Sequence, residues 1–172
     1  MKHMDKLNSL ILKAKHSSFY LWLLNVMLLK TVPFNKPHKL KVTHIGDDDL
    51  TITAFPIRNN QNHIKGIHAC LLATMCEYVS GLSLLTHFSP KEFRIILKSI
   101  HMTYHYQAKS AVSVTFKITK QQIEEEILKP LKTQEAVFRE FAVEAYDTNN
   151  NHICTGLINW QIKAWKNVKT TN

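Results

Sequence analysis

Residues 62–81, NHIKGIHACLLATMCEYVSG, decide how this chain is read. The first seven residues carry Asn, Gly and two His, the composition of a loop. From Ala69 to Leu85 apolar residues dominate on every side of a helical projection. A helix that is apolar all round has to be enclosed by other structure. Glu77 nevertheless stands in its middle. A carboxylate in an apolar setting is costly unless it is hydrogen-bonded or paired. Either a site needs it, or a Lys, Arg or His across a subunit interface neutralises it.

The flanking sequence supplies the enclosure. Residues 5–30 have a helical pattern, stopped by Pro33 and Pro37. Residues 40–45 and 50–55 predict a hairpin turning at Gly46 and the three aspartates after it. Residues 56–67 form a loop, and Ser89-Pro90 breaks the helix that follows it. From Lys98 the period becomes two: Ile100, Met102, Tyr104, Tyr106 and Ala108 alternate with polar neighbours, predicting a half-buried strand. Residues 112–118 repeat that pattern. A charged, helical excursion at 121–132 ends near Pro130, and strands follow at 137–146 and 153–164, joined by the turn DTNNN at 147–151. Strands in series joined by tight turns predict an antiparallel sheet, and a curved sheet around one helix is the arrangement that encloses it. The expectation is an α+β fold with a helical extension at 1–38 and one domain at 39–168.

Bulk properties narrow the function classes. The chain has 172 residues, enough for one domain with a core. Its formal charge is +9, a field that attracts polyanions or a phosphate-bearing ligand. Aromatic and basic residues do not interleave in one stripe, so nucleic acid is not the expected partner. Three cysteines, Cys70, Cys76 and Cys154, without framework spacing, fit reduced thiols in a cytoplasm-like compartment. No metal site is expected. Cys70 and Cys76 fall on different helix faces, His152 and Cys154 lack a second pair, and His101 and His105 stand about 13 Å apart on a strand. The apolar run at 19–29, FYLWLLNVMLL, is interrupted by Asn25. It falls short of the roughly 20 residues that a transmembrane helix needs. It is read as a core or dimer-packing helix, with an interfacial membrane helix as the alternative.

Asn62, Gly66, His68-Ala69 and Glu77 together resemble the pattern of hotdog-fold acyl-CoA thioesterases, the phenylacetic-acid-pathway type and a related branch among them. In that pattern Asn and Gly precede His-Gly-Gly, and an acidic residue lies further along the helix. Residues 99–118 resemble the family's third and fourth strands. Ala69 and Cys70 depart from the pattern, standing where many members have Gly. The resemblance implies a hotdog fold, a thioesterase activity with no cofactor beyond the coenzyme A of the substrate, and assembly as a homodimer or dimer of dimers.

Thioester hydrolysis needs donors for an oxyanion and a carboxylate that attacks or draws a proton from water. Free amides at the start of the helix near His68 and Ala69 are candidates for the first. Glu77 is the candidate for the second. Nine residues separate His68 from Glu77, which is about 13 Å along a helix and two and a half turns around it. One helix therefore cannot hold both ends of a small reacting group, and a two-fold dimer with two composite sites is expected. Asn62 either orients the thioester or closes the loop. His68 either assists the oxyanion or packs at the helix start. Ser80 is placed to hydrogen-bond Glu77, or is an ordinary helix serine. Arg58, Lys65 and Lys109 are among the basic residues that could meet the phosphates. The competing readings are an acyl-binding module without turnover, and a hotdog dehydratase using His63 or His68 with Glu77.

Overall fold

In the computed structural model, which describes residues 9–168, the apolar run becomes helix α1, Ser18–Thr31. The expected single helix over 5–30 is broken. Helical backbone at 9–14 ends in a turn, Ser17 is extended, and α1 begins after it; residues 5–8 lie outside the described residues. Ser17 and Ser18 favour helix boundaries because their hydroxyls compete for backbone hydrogen bonds in an interior. Pro33 then opens a short 3₁₀ turn, Pro33–Asn35.

Six strands follow: β1 Lys41–Ile45, β2 Asp49–Ala54, β3 Phe93–Tyr104, β4 Val112–Lys117, β5 Ala136–Asp147 and β6 His152–Ala164. They form one antiparallel sheet in the order β1-β2-β4-β5-β6-β3. Helix α2, Ala69–His87, is the 19-residue core helix. Met75, Cys76, Val79 and Leu84 on α2 are fully buried, with Ile52, Val114, Ala145 and Ile158 from the sheet in the same core. This is the hotdog arrangement. α2 is long and apolar enough to cross a membrane by composition, and here it is the enclosed core helix. The charged excursion is helical over 120–131, with a π segment at Glu124–Leu128 and a Thr119–Gln122 capping box at its start.

β3 departs from expectation in length and exposure. It starts at Phe93 rather than Lys98 because a bulge between Leu97 and Ser99 breaks the alternation. Tyr106 and Ala108 lie beyond its end at Tyr104. Most of it is exposed rather than half-buried, since it is an edge strand. The two edges of the sheet differ. At β1, the Asn25 amide accepts from Val42 N at 2.7 Å and donates to Val42 O at 2.9 Å. The polar residue that interrupts the apolar run thus occupies backbone groups of an edge strand. The β3 edge has no such cover among the described residues.

The loop before α2 is anchored by Asn60, which is fully buried. Its amide donates to His38 O and Phe55 O, both at 2.9 Å, and its Oδ1 meets His38 Nδ1 at 3.1 Å. Its own carbonyl accepts from His68 N at 2.8 Å. One residue, through its side chain and its carbonyl, therefore ties the N-terminal arm, the end of β2 and the α2 junction together. Asn60→Ala is expected to lower unfolding free energy by about 1–3 kcal/mol, because two part-buried carbonyls lose their donor. Urea denaturation followed by circular dichroism measures it.

Candidate functional site

The repeat of α2 places Ala73, Thr74, Glu77, Tyr78, Gly81 and Leu85 on one side of a cavity of about 620 Å³. Met27, Leu28 and Thr31 of α1 form another wall, with Ile95, Leu97 and Ile100 of β3 and Trp160 of β6. The lining is mainly apolar, with polar groups from Thr31, Asn35, Thr74, Glu77 and Tyr78, the composition of a small-molecule pocket.

Glu77 is half-buried in this wall, and among the described residues no ion pair reaches its carboxylate. Burial holds its carboxyl above the ordinary value of 4.5. A neutralising Lys, Arg or His, the alternative to a site role, is not among its partners within the described residues. Gly81 lies one turn further on, and a Cβ there would meet the Trp160 ring at 2.9 Å. The missing side chain lets the indole close over the helix. Trp160 Nε1 then donates to Ser80 Oγ at 3.0 Å.

That bond decides between the two readings of Ser80 in favour of a helix serine. Its hydroxyl is fully buried, donates to Cys76 O at 2.9 Å or Glu77 O at 3.0 Å, and accepts from Trp160. With both functions spent inside the core, Ser80 is no ligand to substrate or to the Glu77 carboxylate. Tyr78 packs against the core and faces the cavity. Burial pushes its phenol up to about 12, against an opposing hydrogen bond from Asn35.

The second half of the candidate site is the start of α2. Asn62 Oδ1 accepts from Ile64 N at 3.1 Å and Gly66 N at 3.0 Å, so its side chain closes the loop. Ile67 N donates to Ala108 O at 2.7 Å, pressing the loop against the turn after β3. Gly66 is buried there, where a Cβ would meet Ala108 O at 3.2 Å. His68 is the N-cap: its Nδ1 accepts from Cys70 N at 3.1 Å. In the neutral ring this puts the proton on Nε2, which is left as a donor. Leu71 N and Leu72 N return to His68 O. The Ala69 amide is left without an acceptor among the described residues, on an exposed helix start. Tyr104 Oη donates to Ala69 O at 3.0 Å, fixing the end of β3 to the same residue.

Asn62, Gly66, His68 and Ala69 thus converge at one junction, while Glu77 lies nine residues along α2 in the cavity wall. Lys65 and Lys109 are exposed on the two abutting loops, and Arg58 is exposed in the turn before them. Sequence reasoning missed Asn60, Asn35, Tyr104 and the cavity wall made by α1. A buried Asn in an Asn-rich loop has no local signature, and the α1 contacts are long-range. Among the described residues no three His, Cys, Asp or Glu side chains gather as a metal site.

A family model described as a domain of unknown function, DUF4442, matches residues 21–162. The chain belongs to the DUF4442 family. Solved structures share its fold. A Pseudomonas aeruginosa protein of unknown function, described as a probable thioesterase, has a TM-score of 0.75 at 16% identity, covering 81% of this chain and 93% of its own. A thioesterase of Haemophilus influenzae has a TM-score of 0.63 at 10% identity, covering 86% and 93%. These likenesses establish the hotdog fold. No curated protein matches the chain.

The state of Glu77 makes stability depend on pH. Folding penalises its charged form, so the folded chain holds this proton to higher pH than the unfolded chain. The penalty is absent below the ordinary carboxylate range and grows as pH rises from there through the raised value. Glu77→Gln is therefore expected to melt above wild type at neutral pH. The gap should close below about pH 4, where both side chains are neutral. Calorimetric melts across that range measure it.

Proposed function

We propose that this protein is an acyl-CoA thioesterase acting as a homodimer. The observation that carries the reading is Glu77: a half-buried carboxylate without an internal ion pair, in the wall of an apolar cavity on the core helix of a hotdog fold. Among the structural neighbours are proteins described as thioesterases. In the proposed reaction the acyl group enters the cavity and the thioester carbonyl oxygen meets the Ala69 amide at the start of a neighbouring α2. Glu77 takes a proton from water as the water attacks the carbonyl carbon. The tetrahedral intermediate then expels the coenzyme A thiolate, which regains that proton. One well-placed amide contributes about 3–4 kcal/mol in the transition state. Lys65, Lys109 and Arg58, exposed on neighbouring loops, would meet the phosphates.

The dimer is part of the proposal, because Glu77 and the Ala69 amide of one helix stand about 12 Å apart along its axis. The exposed β3 edge, with Ile96, Leu97 and Ile100 on it, is the surface through which a second copy would pair. One observation favours a second reading, an acyl-CoA-binding module without turnover. His68 occupies the Cys70 amide, leaving one free donor at the helix start rather than two.

Purified protein offered acyl-CoA esters of several chain lengths is expected to release thiol, and Glu77→Gln to lower kcat/KM by about 100-fold or more. Activity unchanged by that substitution would sink the assignment. Absent turnover with ligand-dependent thermal stabilisation would favour the binding module. Ile96, 47% exposed on the open edge, supplies a second test. Ile96→Asp is expected to convert the dimer to monomer in analytical ultracentrifugation and to cost activity with it.

A further inference from the structure

We propose that α1 docks this protein on anionic membrane surfaces, with its outward aromatic face set among the lipid headgroups. Phe19, Trp22, Leu23, Val26 and Lys30 follow the i, i+3, i+4, i+7, i+11 spacing of one helical stripe. Phe19 and Trp22 are 62% and 60% exposed, with ring centroids 6.0 Å apart. The opposite side of α1 carries buried Leu24 and Leu28. Solvent therefore meets large aromatic side chains where a soluble surface helix carries polar ones. An apolar, aromatic face of this kind suits the boundary between headgroups and acyl chains.

Charge selects the occupant. Residues 6–46 contain seven lysines and three histidines and no Asp or Glu, a net +7 of the chain's +9. Lys15 is engaged by Asp47. Lys13, Lys30, Lys36 and Lys39 are exposed, and the Lys13 ammonium lies 5.3 Å from the Tyr20 ring, which itself packs on Phe19. Lys13 and Lys30 therefore border the aromatic face. A second copy docking here would bring this positive segment against itself. An anionic bilayer complements it, each lysine near the surface adding to the attraction.

The docked face also adjoins the cavity. Thr31, Val32 and Phe34, at the end of α1 and just beyond it, line the cavity, and Phe34 is 65% exposed at its rim. A lipid-borne acyl chain would thus meet the rim of the pocket. The docking itself does not rest on the thioesterase reading, and its assay contains no thioester.

The test is co-sedimentation with two kinds of vesicle: phosphatidylcholine alone, and phosphatidylcholine with about one-third phosphatidylglycerol. Partition is expected to be at least about tenfold stronger onto the anionic vesicles and to weaken as salt screens it. In a Trp165→Phe background the emission of Trp22 should shift to the blue on binding. Phe19→Ser with Trp22→Ser is expected to cut partition by about tenfold or more with the circular dichroism unchanged. Lys13→Glu with Lys30→Glu, which leaves the apolar face intact, is expected to cut it by at least about fivefold per lysine. Equal or absent binding to the two vesicles would overturn the proposal. So would an aromatic variant that changes the oligomeric state in solution and leaves vesicle binding untouched, which would assign the face to a second copy.

Discussion

A helix with no polar face has to be surrounded, and that requirement shapes this molecule. α2 offers apolar side chains in every direction, so a single sheet must curve around it. The curvature leaves a gap between the first and last strands of the sheet. Side chains of α1 and of the turn after it line one part of that gap and side chains of β3 line another, with a cavity between them. The cavity is thus a product of enclosure. It lies between α2, α1 and the β3 end of the sheet.

The same geometry separates the two groups on which the proposed chemistry rests. The positive end of α2 is exposed, tied down by Asn60, Asn62 and Tyr104, with the Ala69 amide open. Glu77 lies deeper, in a wall that raises its proton affinity. Neither feature suffices for hydrolysis, and the rigid rise of one helix keeps them apart. A reacting group small enough to touch both needs a second helix, so the proposed chemistry and the proposed pairing of subunits stand or fall together.

Local patterns made most of this visible in the sequence. The hairpin at 40–55, the core helix, and the strands at 112–118, 137–146 and 153–164 all declare themselves through period and turn residues. Their structural bounds differ from the expected ones by a residue or two. What escaped was set by distant contacts. The first half of β3 was hidden by a bulge that interrupts the alternation, and its exposure followed from its place at the edge rather than from composition. Ser80 looked free because nothing local announces Trp160, eighty residues on, as its donor. Asn25 looked like a flaw in an apolar helix, and its purpose became visible only with Val42 beside it. Asn62 was legible as a loop residue, while Asn60, two positions earlier, carries the heavier structural task.

That pair between Asn25 and Val42 has a consequence for how many chains can join. Two free borders on a sheet would permit strand addition at either side, and copies could accumulate into an open ribbon. Here one border is already occupied by a side chain of its own chain. Strand addition is left with a single site per molecule, and two such sites exhaust each other when they meet. In the proposed dimer, this amide on the far side of the sheet would therefore help to hold strand addition at a closed pair.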